Sequence, residues 1–182
     1  MERLEDYKPP GNPMLGVIVF ILFWVGIVLM FANVNLYEDV AMPEFMVVVL
    51  LIAPGIILTP LLFNSMASKK LKGIAKGALL FAVNIIAFGS TLLYGVLAID
   101  YYQAPPAPVS TARFAITATG YKTFRFGNGQ IPCADIIYRN HLKRFDFPDE
   151  TMATIIQYKN IQLQTTSGLL GFDVIKSKQL VK

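Results

Sequence analysis

Cysteine, histidine and tryptophan each occur once in these 182 residues, at Cys133, His141 and Trp24. A single cysteine excludes a disulfide within the chain. One Cys and one His are a poor supply for a metal site, which usually needs three or four convergent ligands, so no metal and no cofactor are expected. The motifs GxSxG, Walker A, GxGxxG, HExxH and CxxC are all missing. Gly127-Asn128-Gly129 reads as a turn rather than a phosphate cradle, because no helix start follows it. Asp135 and Asp146 could share acid and base roles if a hairpin set them opposite one another. Such a terminal pair more simply marks the end of a strand ladder, and His141 falls at the turn of the same hairpin. No catalytic residue is assigned, and the chain is read as not an enzyme.

Charge is also scarce. Asp, Glu, Lys and Arg make up 15% of the chain, against about 25% in ordinary soluble domains. The deficit is uneven. Residues 1–102 carry 6 Lys/Arg and 7 Asp/Glu, whereas residues 103–182 carry 10 and 5. The first part is oily and nearly neutral; the second is a basic domain.

Three runs contain no charge at all: 14–32, 45–63 and 77–99. A helix of roughly 20 apolar residues spans the hydrocarbon core of a bilayer, and a backbone in lipid must satisfy its own hydrogen bonds. The expected fold is therefore membrane α-helical, with three transmembrane helices in 14–102. The leader 1–13 has three acids and two bases, unlike the short basic start of an export signal. The first run should stay attached as a span.

The segment SMASKKLKGIAK (65–76) explains the orientation expected. It holds Lys69, Lys70, Lys72 and Lys76 between two uncharged runs. Loops on the cytoplasmic side carry excess Lys and Arg. The loop 33–44 has none and three acids, and 100–109 has none. These counts predict a tail 1–13 inside and a C-terminal domain outside, periplasmic or extracellular; compactness and the absence of glycosylation sequons point to the cytoplasmic (inner) membrane of a bacterium.

The spans lack ionisable residues, which usually mark ion pathways. Asn84, Gly89 and Ser90 are the helix-packing candidates, since small and amide side chains serve close helix contacts in membranes. Pro54 and Pro60 should loosen the second span. Trp24, mid-span, is expected to face another helix.

Residues 103–111 hold three prolines and read as a stiff linker. From 112 the pattern alternates with period two, giving five to seven short strands and an all-β domain, 112–182, of antiparallel sandwich or barrel type. The clearest hairpin is 135–147. An Asn140-His141 turn would pair Tyr138 with Lys143 and Ile136 with Phe145. On its outer face Arg139, Lys143 and Arg144, joined by Arg125, form the candidate patch for an anion or a partner. The apolar tip Leu169-Leu170 is a second candidate, for the outer leaflet or a partner. The leading expectation is a non-catalytic accessory or assembly subunit of a membrane complex, with membrane lipids and other membrane proteins as partners and no nucleic acid. A membrane-anchored binding or sensing module for anionic lipid, cell-wall polymer or a partner protein is the alternative. An oligomeric channel or transporter comes third.

Overall fold

The computed structural model describes residues 13–63, 73–107, 110–123 and 130–182. The tail 1–12, the lysines Lys69, Lys70 and Lys72, Arg125 and the Gly127–Gly129 turn lie outside the described residues. Two compact units emerge. The first combines the chain up to Val34 with Glu44–Gly95, and the second combines Asn35–Pro43 with Val96–Lys182.

The first unit is helical. Helix α1 runs Pro13–Asp39, α2 runs Glu44–Phe63, α3 runs Ile74–Asn84 and α4 runs Ser90–Tyr102. A π-helical segment, Ile85–Gly89, joins α3 to α4. Three stretches, Gly16–Asp39, Glu44–Leu62 and Ile74–Tyr102, are long and apolar enough to cross a membrane. The helices outrun the runs read from sequence. Asn33–Asp39 contains no helix breaker, so α1 continues through it, and the loop expected at 33–44 shrinks to Val40–Pro43. The third helix continues from 99 to Tyr102 and stops shortly before Pro105-Pro106, which disfavour helix in the residue ahead of them. Helix α2 carries Pro54 and Pro60 without interruption.

Backbone approach holds this unit together. A Cβ on Gly26 would collide with the Ile86 carbonyl, and one on Gly89 with the Leu51 carbonyl. A Cβ on Gly55 would press within 2.8 Å of the Phe81 ring. The π segment is where these contacts meet. The Ser90 amide bonds back to Ile85 O, five residues away, which is the π pattern. Its loosened carbonyls find side chains: Thr91 Oγ1 donates to Ala87 O at 2.6 Å, and Asn33 Nδ2 donates to Ser90 O at 3.0 Å. Asn84 is fully buried, and its Nδ2 donates to Thr59 Oγ1 at 3.1 Å. Trp24 corrects the expectation for it. It is 55% exposed, and its ring meets only the edges of Phe20 and Phe23 on its own helix among the aromatic contacts described.

The second unit contains one antiparallel sheet of five strands: β1 Ser110–Thr123, β2 Gln130–Tyr138, β3 His141–Asp146, β4 Asn160–Ser167 and β5 Asp173–Val181. Their order is β3-β2-β1-β4-β5. A short helix, α5 Met152–Ile155, is capped by Thr151, whose side chain accepts from the Thr154 amide. The fold is neither a two-sheet sandwich nor a closed barrel. The single sheet curls until its edges converge. Lys143 on β3 and Lys178 on β5 both lie within 6 Å of the Phe145 ring, at 5.8 and 5.7 Å. The core inside the curl includes Ile136, Tyr138, Phe145, Phe147, Ile155, Ile161, Leu163 and Ile175. Residues 37–41 lie at both edges. Val40 bridges Val174, and the Ala41 amide donates to Asp173 O at 2.8 Å, while Lys143 Nζ donates to Val40 O at 3.1 Å.

Strand β1 is continuous where two strands, 112–119 and 121–126, were expected. Its first half pairs with β4 and its second with β2, with a register shift between Ile116 and Ala118. It also begins inside the expected linker, at Ser110. The boundary after 102 moves too: residues 96–102 pack with the sheet, and Ala104 is buried. The prolines therefore end a helix rather than separate two bodies.

Candidate interaction surface

The 135–147 hairpin turns one residue earlier than its sequence indicates. Arg139 and Asn140 take φ of 47° and 66°, the left-handed pair of a type I′ turn. Tyr138 then faces His141, Ile136 faces Lys143, and Asp135 faces Arg144. Moving a two-residue turn by one position changes each partner by two, so side-chain faces survive. Ile136, Tyr138, Phe145 and Phe147 do share the core. The individual pairs do not survive, and with them goes the Asp135–Asp146 couple. Asp146 now lies opposite Cys133.

The basic patch breaks up as well. Alternation puts Lys143 on the core face and Arg144 on the other. Arg144 makes a two-pronged pair with the buried Asp135, Nε to Oδ1 at 2.7 Å and Nη2 to Oδ2 at 2.8 Å. That hydrogen-bonded carboxylate pushes the guanidinium pKa above its ordinary value. Arg139 pairs with Asp173 at 2.7 Å. The same carboxylate accepts the Tyr138 hydroxyl at 2.5 Å. Burial first, then this bond, pushes the Tyr138 pKa up to about 12.

Lys143 serves as a cap. Its Nζ donates to Tyr37 O at 3.4 Å and Val40 O at 3.1 Å, carbonyls at the C-terminal end of α1 where positive charge is favoured. Burial nonetheless brings its pKa down to about 8, against the attraction of Asp39 and Glu38 and with the repulsion of Lys178. Lys122 bridges Glu38 at 2.6 Å and Asp146 at 2.5 Å. Burial opposes its charge, yet the hydrogen bonds to Asp146 and Glu38 lift its pKa above the ordinary value. Three proposed anion receptors thus bind three separate internal acceptors.

Comparison with known proteins finds no matching family model, no similar curated protein and no similar solved structure.

Exposed apolar side chains also lie on this unit. Ile137 and Leu142 are a cross-strand pair on the outer face of the hairpin, 56% and 63% exposed. Alternation in the sequence placed both on that face, but their neighbours' charges drew attention away from them. Leu169 and Leu170 are exposed at the β4–β5 turn. That turn is held by Asp100, which sequence reading passed over as a residue beyond the third span. The Leu170 amide donates to Asp100 Oδ1 at 2.6 Å, and Asp100 is fully buried. A shallow open cleft of about 350 Å³ lies between Phe147, Glu150, Tyr158, Lys178, Gln179 and Leu180. Among the described residues no group of three His, Cys, Asp or Glu side chains could hold a metal ion.

Proposed function

We propose that this chain is an integral membrane protein acting as a non-catalytic accessory or assembly subunit of a larger membrane complex. The observation that carries the reading is the exposed apolar pair Ile137 and Leu142 on a unit whose described arginines and lysines of the hairpin are already engaged. Apolar side chains ringed by polar ones are what protein interfaces bury. The membrane part rests on the inverted character of the first unit. Val17, Phe20, Trp24, Val28 and Phe31 of α1 are exposed, while Asn33, Asn84 and Ser90 are buried.

The lysine distribution supports an orientation with the N-terminus inside and the sheet outside, in a membrane we take to be the bacterial inner one. Residues 35–43 and 96–182 form one unit, which agrees with both lying on one side. A sensing module for anionic lipid or cell-wall polymer draws less support, because Arg139, Lys143 and Arg144 each have an internal partner.

The test is a photo-crosslinking residue at Leu142, used in native membranes and followed by affinity purification in gentle detergent. A defined partner crosslinked from Leu142 and co-purifying in fixed ratio is expected. A chain that elutes alone and crosslinks to nothing removes the subunit reading.

A further inference from the structure

We infer that the β4–β5 turn is an interfacial membrane anchor: Leu169 and Leu170 insert among lipid headgroups and upper acyl chains beside the end of α4. This rests on the reading of Ile74–Tyr102 as a membrane span. The argument begins with position. The turn is fastened to the last residues of the very helix that would leave the bilayer there. Asp100 accepts the Leu170 amide at 2.6 Å, and the turn itself is closed by the Gly168 amide donating to Phe172 O at 2.8 Å. Gly168 lies so close that any Cβ would collide with that carboxylate. Gly171, at φ 89°, makes the sharp return to β5 that a side chain would disfavour. The turn is thus built to hold one position at the helix end.

Chemistry points the same way. Tyr101 and Tyr102 stack edge to face at 5.1 Å, and Tyr102 is exposed. Tyrosines gather where bilayer meets water. Lys176 Nζ sits 5.5 Å over the Tyr101 ring, so a long basic side chain lies beside the aromatic pair, as snorkelling lysines do. Two tyrosines, two leucines and a lysine thus belong to the segments tied together at Asp100, a composition suited to an interface. Ile99, on the same stretch of α4 as Asp100, is exposed as well. A protein partner would also accept two leucines, but it would not call for tying them to the mouth of a span.

The test places a polarity-sensitive fluorophore on Leu169→Cys in the full chain, with Cys133→Ala removing the buried thiol. The protein is reconstituted in phosphatidylcholine vesicles containing a minority of phosphatidylglycerol. A second preparation carries the label on Phe20→Cys in α1 and reports the membrane reading separately. Interfacial insertion sits roughly 5–10 Å deep, so the Leu169 label should shift to the blue and lose roughly half its emission to lipids brominated near the headgroup end of the chain. Lipids brominated near the methyl end should quench it less. Asp100→Ala should weaken the quenching at Leu169 and leave the Phe20 label unchanged. If the Phe20 label meets lipid while the Leu169 label is open to aqueous iodide, the anchor is overturned and the span reading stands. If the Leu169 label escapes both iodide and bromine, a protein covers the turn, and the lipid proposal is again overturned. If neither label meets lipid, the span reading fails and takes the anchor with it.

Discussion

The two units solve opposite packing problems. The helical unit turns Phe20, Trp24 and Phe31 outward and buries Asn33, Asn84 and Ser90. The sheet unit buries Ile136, Phe145, Ile161 and Leu163 and gives its buried carboxylates donors, Arg144 for Asp135 and the Leu170 amide for Asp100. The means of cohesion differ accordingly. Helices whose outer surface is apolar gain little by hiding apolar side chains from water, so they rely on close backbone fit. Here that fit is made by Gly26 on Ile86 and Gly89 on Leu51. The sheet relies on large side chains filling a curled core, with cations fixed by acceptors of defined geometry. Glycine thus serves backbone-to-backbone contact in the helical unit, whereas in the sheet unit Gly168 makes room for the Asp100 carboxylate and Gly120 is uncrowded.

The sharpest way to break the comparison is a methyl group at matched glycines. Gly26→Ala drives a Cβ into the Ile86 carbonyl, and backbone cannot rotate away as a side chain can. Overpacking of this kind costs about 1–3 kcal/mol. Gly120→Ala in β1 meets only Cys133 Sγ, at 4.0 Å, and should stay within about 0.5 kcal/mol of the parent. Thermal unfolding in mild detergent reads both. Equal effects would mean that the helical unit can relax as the sheet does.

Lys143 tests the sheet unit through pH. Its pKa is about 8 in the folded chain against an ordinary 10.5. Between those values the unfolded chain still holds the proton that the folded chain has released. Stability from this group therefore rises as pH climbs from about 8 toward 10.5, and is lost as pH falls through 8. Lysine Nζ resonances followed by NMR should show one side chain titrating near 8, and Lys143→Met should remove that signal together with the rising slope. A titration of Lys143 near its ordinary value would mean that water reaches the cap at Tyr37 and Val40.

How much of this was legible beforehand follows from the range of each interaction. The uncharged runs showed where helices form, because apolar length is local. Their ends were misjudged at 33–39 and 100–102, since a polar helical turn packed on a distant sheet looks like a loop in sequence. The π segment left no signal beyond the small residues Ala87, Gly89 and Ser90. In the hairpin, alternation fixed the faces, but Arg139 gave no hint of positive φ, so the turn and every cross-strand pair shifted. The supposed basic patch failed because the shifted turn sets Asp135 opposite Arg144, and because Asp173 and the carbonyls of residues 37–40 are remote in sequence from the cations they receive. Leu169 and Leu170 stood out early, whereas Asp100, which fastens them, did not.

A smaller effect sharpens the contrast in polar contacts. Arg144→Ala strands the buried carboxylate of Asp135 while leaving water some access where the arginine lay. The expected loss is about 1–2 kcal/mol. Asp135→Val with Arg144→Leu removes both partners and should recover most of it, since an absent pair leaves no orphan charge. Denaturant unfolding monitored in the sheet unit measures the set. If the double variant is no better than Arg144→Ala alone, the pair does more than neutralise a buried charge.

The smallest effect belongs to the helical unit's own polar contact. Asn84 is fully buried, with Nδ2 on Thr59 Oγ1 and Oδ1 lacking a hydrogen-bond partner among the described residues. In water a half-satisfied buried amide would be a serious liability. In a membrane the comparison state also lacks water, and interhelical hydrogen bonds average only about 0.6 kcal/mol. Asn84→Leu should therefore cost about 0.6 kcal/mol or less, because an apolar side chain of similar size replaces both the bond and the unpaired oxygen. Thr59→Val on the Asn84→Leu background should add almost nothing, as the two residues share one bond. Helix-association measurements in bilayers at both positions decide this. A loss several times larger for Asn84→Leu would show that the shape of the fully buried amide site, rather than its one hydrogen bond, sets the cost.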